Sequence, residues 1–166
     1  RSHASLIQPN LVIIYSQNEV LPAALLSKLS ALKNDYQISV IGLPEWEKFG
    51  NIESAYLLSL NAHVFQPSFT DFNSDNVKGF FQSYRVKYMD EPLDYALTGF
   101  DAGFFFLGAL LNYGKDFERC INEQGIQLLQ NQYHFKRIDD GGYDNIYWNI
   151  LKYEDYRLVN RSVSWK

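Results

Sequence analysis

The sequence predicts an α/β fold, three-layered (α/β/α) around a mainly parallel sheet, with an antiparallel hairpin added near the carboxyl terminus. Three observations carry that expectation. Leu11 to Tyr15 (LVIIY) and Tyr36 to Leu43 (YQISVIGL) are apolar runs of strand length, and continuous rather than alternating hydrophobicity is what a strand covered on both faces requires. Between them lie leucines at helix-face spacing, so the order is strand, helix, strand. Much later, two aromatic segments alternate around Asp139-Asp140-Gly141-Gly142, the composition of a tight turn.

Each element follows from its residues. The first strand is Leu11 to Tyr15, expected to be central and parallel. Ser16-Gln17-Asn18-Glu19 is polar and suited to capping, and the next helix carries its apolar face on Leu21, Leu25, Leu29 and Leu32. Pro22 fits the first turn, where its missing N–H is not needed. The second strand ends at Pro44-Glu45-Trp46, because proline cannot continue the ladder; a loop is expected there. Ile52 to Leu60 reads as a short helix and Ala62 to Phe65 as a third strand closed by Pro67. This β-α-β-α-β order is the signature of a parallel sheet with helical crossovers.

After Pro67 the pattern changes. Asp75 to Tyr88 is helical, with Val77, Phe80, Phe81 and Tyr84 on one face, and Asp90-Glu91-Pro92 stops it. A long helix from about Leu93 to Tyr113 follows. Its Gly99, Gly103 and Gly108 each disfavour the helix by roughly 1 kcal/mol relative to Ala, so tight packing against that face is expected. Asp116 to Asn122 reads as another short helix. Tyr133 to Ile138 and Asn145 to Tyr153 form the hairpin, and the chain from Asp155 onward is a weak strand or coil. The expected division is residues 1–10 as a disordered or processed start, 11–159 as a single α/β domain and 160–166 as a tail.

Composition bounds the function. With 166 residues, of which 46% are hydrophobic and 16% aromatic, the chain can bury a core. The net charge of −4 is not gathered into runs, so there is no footprint for nucleic acid or an anionic membrane. The longest apolar stretch, Ala102 to Leu111, is about half of the ~20 residues that span a bilayer and is expected to be a buried helix. The single cysteine, Cys120, permits no intrachain disulfide and reads as a packed thiol.

Motifs for chemistry are absent. Phosphate-cradling glycine patterns, H-E-x-x-H, C-x-x-C and G-x-S-x-G do not occur, so no enzyme, no metal site and no cofactor is expected. His63 and His134 lie in expected strands and read as structural. Asp139, Asp140 and Asp144 miss the spacing of a calcium loop, and the Gly-Gly step is what a hairpin needs. Asp101 reads as a structurally hydrogen-bonded carboxylate. A receiver-like reading fails because none of the three strands ends in a phospho-acceptor aspartate. What remains is position. Ligands of parallel sheets settle at the carboxyl ends of the strands, where Ser16 to Glu19 and Pro44 to Trp46 are expected, offering a carboxylate for an ammonium group and an indole for an apolar face.

These pieces, in this order, resemble the type I periplasmic binding proteins, in particular the branched-chain amino-acid-binding subgroup. Ile41-Gly42-Leu43-Pro44-Glu45 resembles the family's Gly-Pro-Glu loop, with Leu43 an extra residue. Tyr95-Ala96-Leu97-Thr98-Gly99-Phe100-Asp101-Ala102 resembles its Tyr-Asp-Ala helix, with Phe100 in place of the commoner tyrosine. The resemblance runs from about Leu11 to Val159 and covers the carboxy-terminal half of such a protein. It implies a non-catalytic module that binds or senses a small polar, amino-acid-like solute, as transporter substrate-binding proteins do, with contacts from Ser16, Asn18 and Glu45 and with Trp46 as a wall. It implies a periplasmic or cell-envelope location, and self-association or pairing with the family's first half, whose sheet Phe80, Phe81, Phe104, Phe105 and Leu107 would otherwise lack. The chain also resembles uncharacterised envelope proteins in which such a domain follows peptidoglycan-binding LysM repeats. The alternative is a structural or protein-interaction module of the envelope without a working pocket.

Overall fold

A computed structural model describes residues 4–123, 125–139 and 141–162. In chain order the elements are β1 (Asn10–Ile13), α1 (Val20–Ser30), β2 (Ile38–Gly42), a 3-10 turn (Pro44–Lys48), α2 (Ser54–Ser59), β3 (His63–Gln66), α3 (Asp75–Tyr88), α4 (Asp94–Tyr113), further 3-10 turns (Gly114–Cys120), β4 (Phe135–Arg137), β5 (Tyr143–Asn145), β6 (Asn149–Glu154) and β7 (Arg157–Asn160). The fold is α/β, with a mixed sheet and a separate antiparallel hairpin. It is organised as two compact units, one combining the chain up to Gln66 with the chain from Asn149, the other running from Pro67 to Trp148. Residues 1–3 of the expected amino-terminal start and 163–166 of the expected tail lie outside the described residues, as does Asp140 of the expected turn.

In the first unit the sheet has five strands in the order β1-β2-β3-β6-β7. The crossover-linked strands β1, β2 and β3 are parallel, as their apolar runs predict, and β6 and β7 extend the sheet antiparallel. Val40, Val64 and Leu151, on neighbouring strands, are fully buried, and so are Leu26 of α1 and Leu60 after α2. Burying these side chains stabilises the unit by about 25 cal/mol per Å² of apolar surface removed from water. The α1 face differs from the expected one. Pro22 and Leu26 are its buried residues, whereas Leu21 is 50% exposed. Leucines at 21, 25, 26 and 29 make a broad apolar arc, and sequence spacing alone does not fix its centre.

Three strand expectations differ from the structure. β1, expected to be central, is the outermost strand of the sheet; a continuous apolar run reports cover on both faces, not neighbours on both sides. Asn145 to Tyr153 is not one strand. Asn145 ends β5, its Oδ1 accepting the N–H groups of His134 and Tyr147 and its Nδ2 donating to the Gln132 carbonyl. A side chain that binds nearby backbone in this way offers an alternative to the ladder and stops it. The following Asn149–Glu154, alternately buried and half-buried, leaves the hairpin and pairs with β3. The chain after Asp155 is a well-formed strand, because Asp155 and Tyr156 both sit at positive φ (48° and 61°), the geometry of a two-residue hairpin turn that matches strand twist.

In the second unit, α3 has the expected bounds and ends at Met89 in the left-handed conformation. Val77, Leu97 and Leu129 form a buried cluster, with Phe80 and Phe81 packed against it. Helix α4 buries one stripe, Leu97, Asp101, Phe105 and Ala109, while Phe104, Leu107 and Leu111 are 53%, 61% and 85% exposed. The expected buried helix is therefore covered along one side only. By length and composition, the helical stretch Asp94–Cys120 would also pass as membrane-spanning. Nothing presses on Gly99 or Gly103, since a Cβ built at either meets no atom within 4 Å; the expected tight packing there is absent. The segment after α4 forms 3-10 turns that break at Asp116, not the expected α-helix. Phe105, Phe106, Tyr133 and Phe135 gather there with ring centroids 4.8 to 6.1 Å apart, and Asn122 bonds both backbone groups of Phe135.

Candidate functional site

The rim of the first unit is built by β1 and β2. Because they are adjacent and parallel, their carboxyl ends lie side by side, and the Ile14 N–H continues the ladder to the Ile41 carbonyl at 2.9 Å. The chain then leaves each strand over the same edge of the sheet. Ser16 and Asn18 follow β1; Glu45 and Trp46 follow β2 in the 3-10 turn.

The first loop is held by its own side chains. Ser16 Oγ accepts the Asn18 N–H at 3.2 Å and donates to the Asn18 carbonyl at 3.0 Å. Asn18 Oδ1 accepts the Val20 N–H at 2.8 Å, satisfying one of the donors that the start of α1 leaves open. Both residues thus do helix-entry work. Asn18 remains exposed, and its Nδ2 has no partner among the described residues.

In the second loop Pro44 opens the turn with its ring at a position where no N–H is needed. Glu45 is exposed, and its carboxylate has no hydrogen bond or ion pair among the described residues. Trp46 is 1% exposed. Its ring lies so close over Gly42 that a Cβ there would meet ring carbons at 2.3 to 2.4 Å. Only glycine lets strand and indole approach in this way. The indole is therefore a floor beneath the loop, not an open wall, and its buried Nε1 has no partner among the described residues.

The loops are joined across the rim. Asn51 Nδ2 donates to Glu19 Oε1 at 2.9 Å, so the residue before α1 is fixed to the segment that follows the 3-10 turn. One carboxylate and one amide nitrogen, neither with a partner among the described residues, thus stand at the carboxyl ends of adjacent strands, and the strand end that carries the carboxylate is packed on the buried indole. The two groups offer charge and hydrogen bonding to a small polar solute, and Ser16 is already committed to backbone.

No protein-family model matches this chain, and no curated protein matches it. Among solved structures it is similar to an ABC transporter substrate-binding protein from Desulfitobacterium hafniense, with 15% identity and a TM-score of 0.43 over 89% of this chain and 43% of that one. A structure of a Desulfitobacterium hafniense substrate-binding protein in complex with Leu gives 15% identity and a TM-score of 0.41 over 90% and 43% of the two chains. The solute-binding protein of an ABC transporter from R. palustris, in complex with benzoate, gives 15% identity and a TM-score of 0.34 over 90% and 42%. This chain spans less than half the length of each.

Ser16, Asn18, Glu45 and Trp46 are the contacts expected from the sequence; the Glu19–Asn51 bridge is not among them. Nothing local signals it, since the partners meet only once the strands are paired. No group of three or more metal-ligating side chains occurs among the described residues. Asp101, in the second unit, is fully buried and accepts the backbone N–H groups of Leu129, Gln130 and Asn131 at 2.7, 3.0 and 2.9 Å. Its part is structural, as expected from a buried carboxylate that must be satisfied. Burial, and then the charge of Asp101, push the Tyr133 hydroxyl above its ordinary pKa.

Proposed function

We propose that this chain is a non-catalytic ligand-binding module, taking a small, amino-acid-like solute at the rim formed by the loops after β1 and β2. The observation that carries this reading is the exposed carboxylate of Glu45, unpaired among the described residues, on the same strand-end rim as the Asn18 amide, whose Nδ2 likewise has no partner among them. Glu45 binds the ligand's ammonium group, Asn18 Nδ2 donates to a ligand oxygen, and Ser16 holds Asn18 in place. Trp46 supports the loop from below. The resemblance to type I periplasmic binding proteins adds a second lobe that closes over the ligand, a place in the cell envelope and a transporter substrate-binding role. Calorimetry with a panel of amino acids tests this: saturable heat that Glu45→Ala abolishes supports the reading, and silence across the panel opposes it.

One observation favours a second reading, an interaction module without a working pocket. Trp46 is sealed beneath the loop, whereas apolar side chains such as Leu107 and Leu111 are largely exposed. In that reading the exposed apolar surface, not the rim, makes the functional contact. Silence in calorimetry together with capture of a second polypeptide distinguishes it.

A further inference from the structure

Each loop of the rim is held by its own bonds, and the two meet at a single point. After β2, backbone hydrogen bonds follow one another at a spacing of three residues: the Trp46 N–H donates to the Leu43 carbonyl, Phe49 to Trp46 and Ile52 to Phe49, at 3.2, 3.2 and 3.3 Å. This series of turns runs from the end of β2 past Glu45 to Ile52, whose side chain is buried. Asn51 therefore belongs to the same hydrogen-bonded piece as Glu45. After β1, the turn made by Ser16 and Asn18 leads straight into α1.

Glu19 stands where α1 starts, yet its side chain does not cap the helix. Asn18 Oδ1 takes that part by accepting the Val20 N–H, and the Glu19 carboxylate accepts from Asn51 Nδ2 at 2.9 Å instead. Among the described residues this is the one hydrogen bond between residues 15–19 and residues 43–53, since the bond from Ile14 to Ile41 belongs to the sheet. Asn51 is exposed and Glu19 half-buried. A bond so placed competes with water and adds little to the stability of the fold. It can still matter for binding, because groups already held in place need not be ordered by the ligand.

We propose that Asn51 is a positioning residue of the rim: through its hydrogen bond to Glu19 it holds the loop that carries Asn18 in fixed relation to the turn that carries Glu45. The proposal rests on the rim being the binding site, and it adds a residue that acts on the ligand without touching it. Glu19 serves here as a hydrogen-bond acceptor and not as a charge. A glutamine at position 19 keeps a carbonyl oxygen for Asn51 Nδ2, and an alanine does not.

The test is calorimetry of the whole chain with the proteinogenic L-amino acids titrated one at a time, together with thermal unfolding. For an amino acid that the parent binds and Glu45→Ala does not, Asn51→Ala and Glu19→Ala are each expected to weaken binding by about three- to tenfold, at the parent's melting temperature. Both substitutions remove the same bond, so the double variant is expected to bind no worse than either single one. Glu19→Gln is expected to restore the affinity that Glu19→Ala loses. Parent-like affinity in Asn51→Ala overturns the proposal, while the loss in Glu45→Ala still marks the rim as the site. Penalties that add in the double variant overturn it too, as does a Glu19→Gln as weak as Glu19→Ala, which would make the charge of Glu19 a direct ligand contact. Silence from every amino acid removes the binding reading and this proposal with it.

Discussion

Asp101 and Asn131 are joined through both N–H groups of the asparagine, its backbone and side-chain amides donating to Asp101 Oδ2 at 2.9 and 3.0 Å. With the N–H groups of Leu129 and Gln130, the carboxylate pins residues 129–131 to the middle of α4. The same segment supplies Leu129 to the buried cluster with Val77 and Leu97. Hydrogen bonds to a charged group contribute about 1.5–3 kcal/mol each, and donors orphaned in the interior cost a similar amount. Asp101→Ala is therefore expected to destabilise the chain by roughly 3 kcal/mol or more. Urea unfolding measures the loss, and amide exchange should show residues 129–131 released first. A variant as stable as the parent would show that the segment is held by other contacts.

Gly42 and Trp46 set a second expectation. Because a Cβ at position 42 would overlap the indole, Gly42→Ala must displace Trp46 or bend β2. Overpacking of this kind costs about 1–3 kcal/mol. Thermal unfolding should record that loss, and in a double-mutant cycle with Trp46→Leu most of it should vanish. Additive penalties would mean that ring and strand do not press on each other.

The hydrogen bonds and charges of Arg161 and then Lys152 draw the Glu154 carboxyl from its ordinary 4.5 to about 2. A depressed folded-state pKa contributes stability that is fully present above the unfolded value and is lost as pH falls through the folded one. The chain should accordingly lose stability between about pH 4.5 and 2 in a step that Glu154→Gln lacks. Glu154 is half-buried but its partner Arg161 is exposed, so solvent still screens the pair and the step should shrink with added salt. Melting temperatures of the two proteins across that range decide it; parallel curves would contradict the assignment.

How much of this was legible beforehand depended on whether local residues or distant partners decide an element. The bounds of α3 follow from Asp75 at one end and Asp90-Glu91-Pro92 at the other, and the structure matches them. The parallel core follows from two apolar runs separated by a helix-spaced segment. The break between β5 and β6 did not show in the sequence, because it rests on the Asn145 side chain finding Gln132 and His134 across the hairpin. The turn at Asp155-Tyr156 lacks the glycine that usually marks positive φ. At the rim, sequence placed Asn18 and Glu45 by strand order, but the burial of Trp46 depends on how closely Gly42 allows the ring to approach. Proximity of that kind is not written in spacing.

The proposed binding mode seats a small ammonium-bearing solute between the loops after β1 and β2. Titration of the isotope-labelled chain with amino acids, followed by amide chemical shifts, tests it most directly. Saturable shifts concentrated at Ser16 to Glu19 and Glu45 to Asn51 are expected, lost in Glu45→Ala, which keeps its dispersed spectrum. Shifts scattered over both units, or a rim that stays silent while other residues respond, would contradict it.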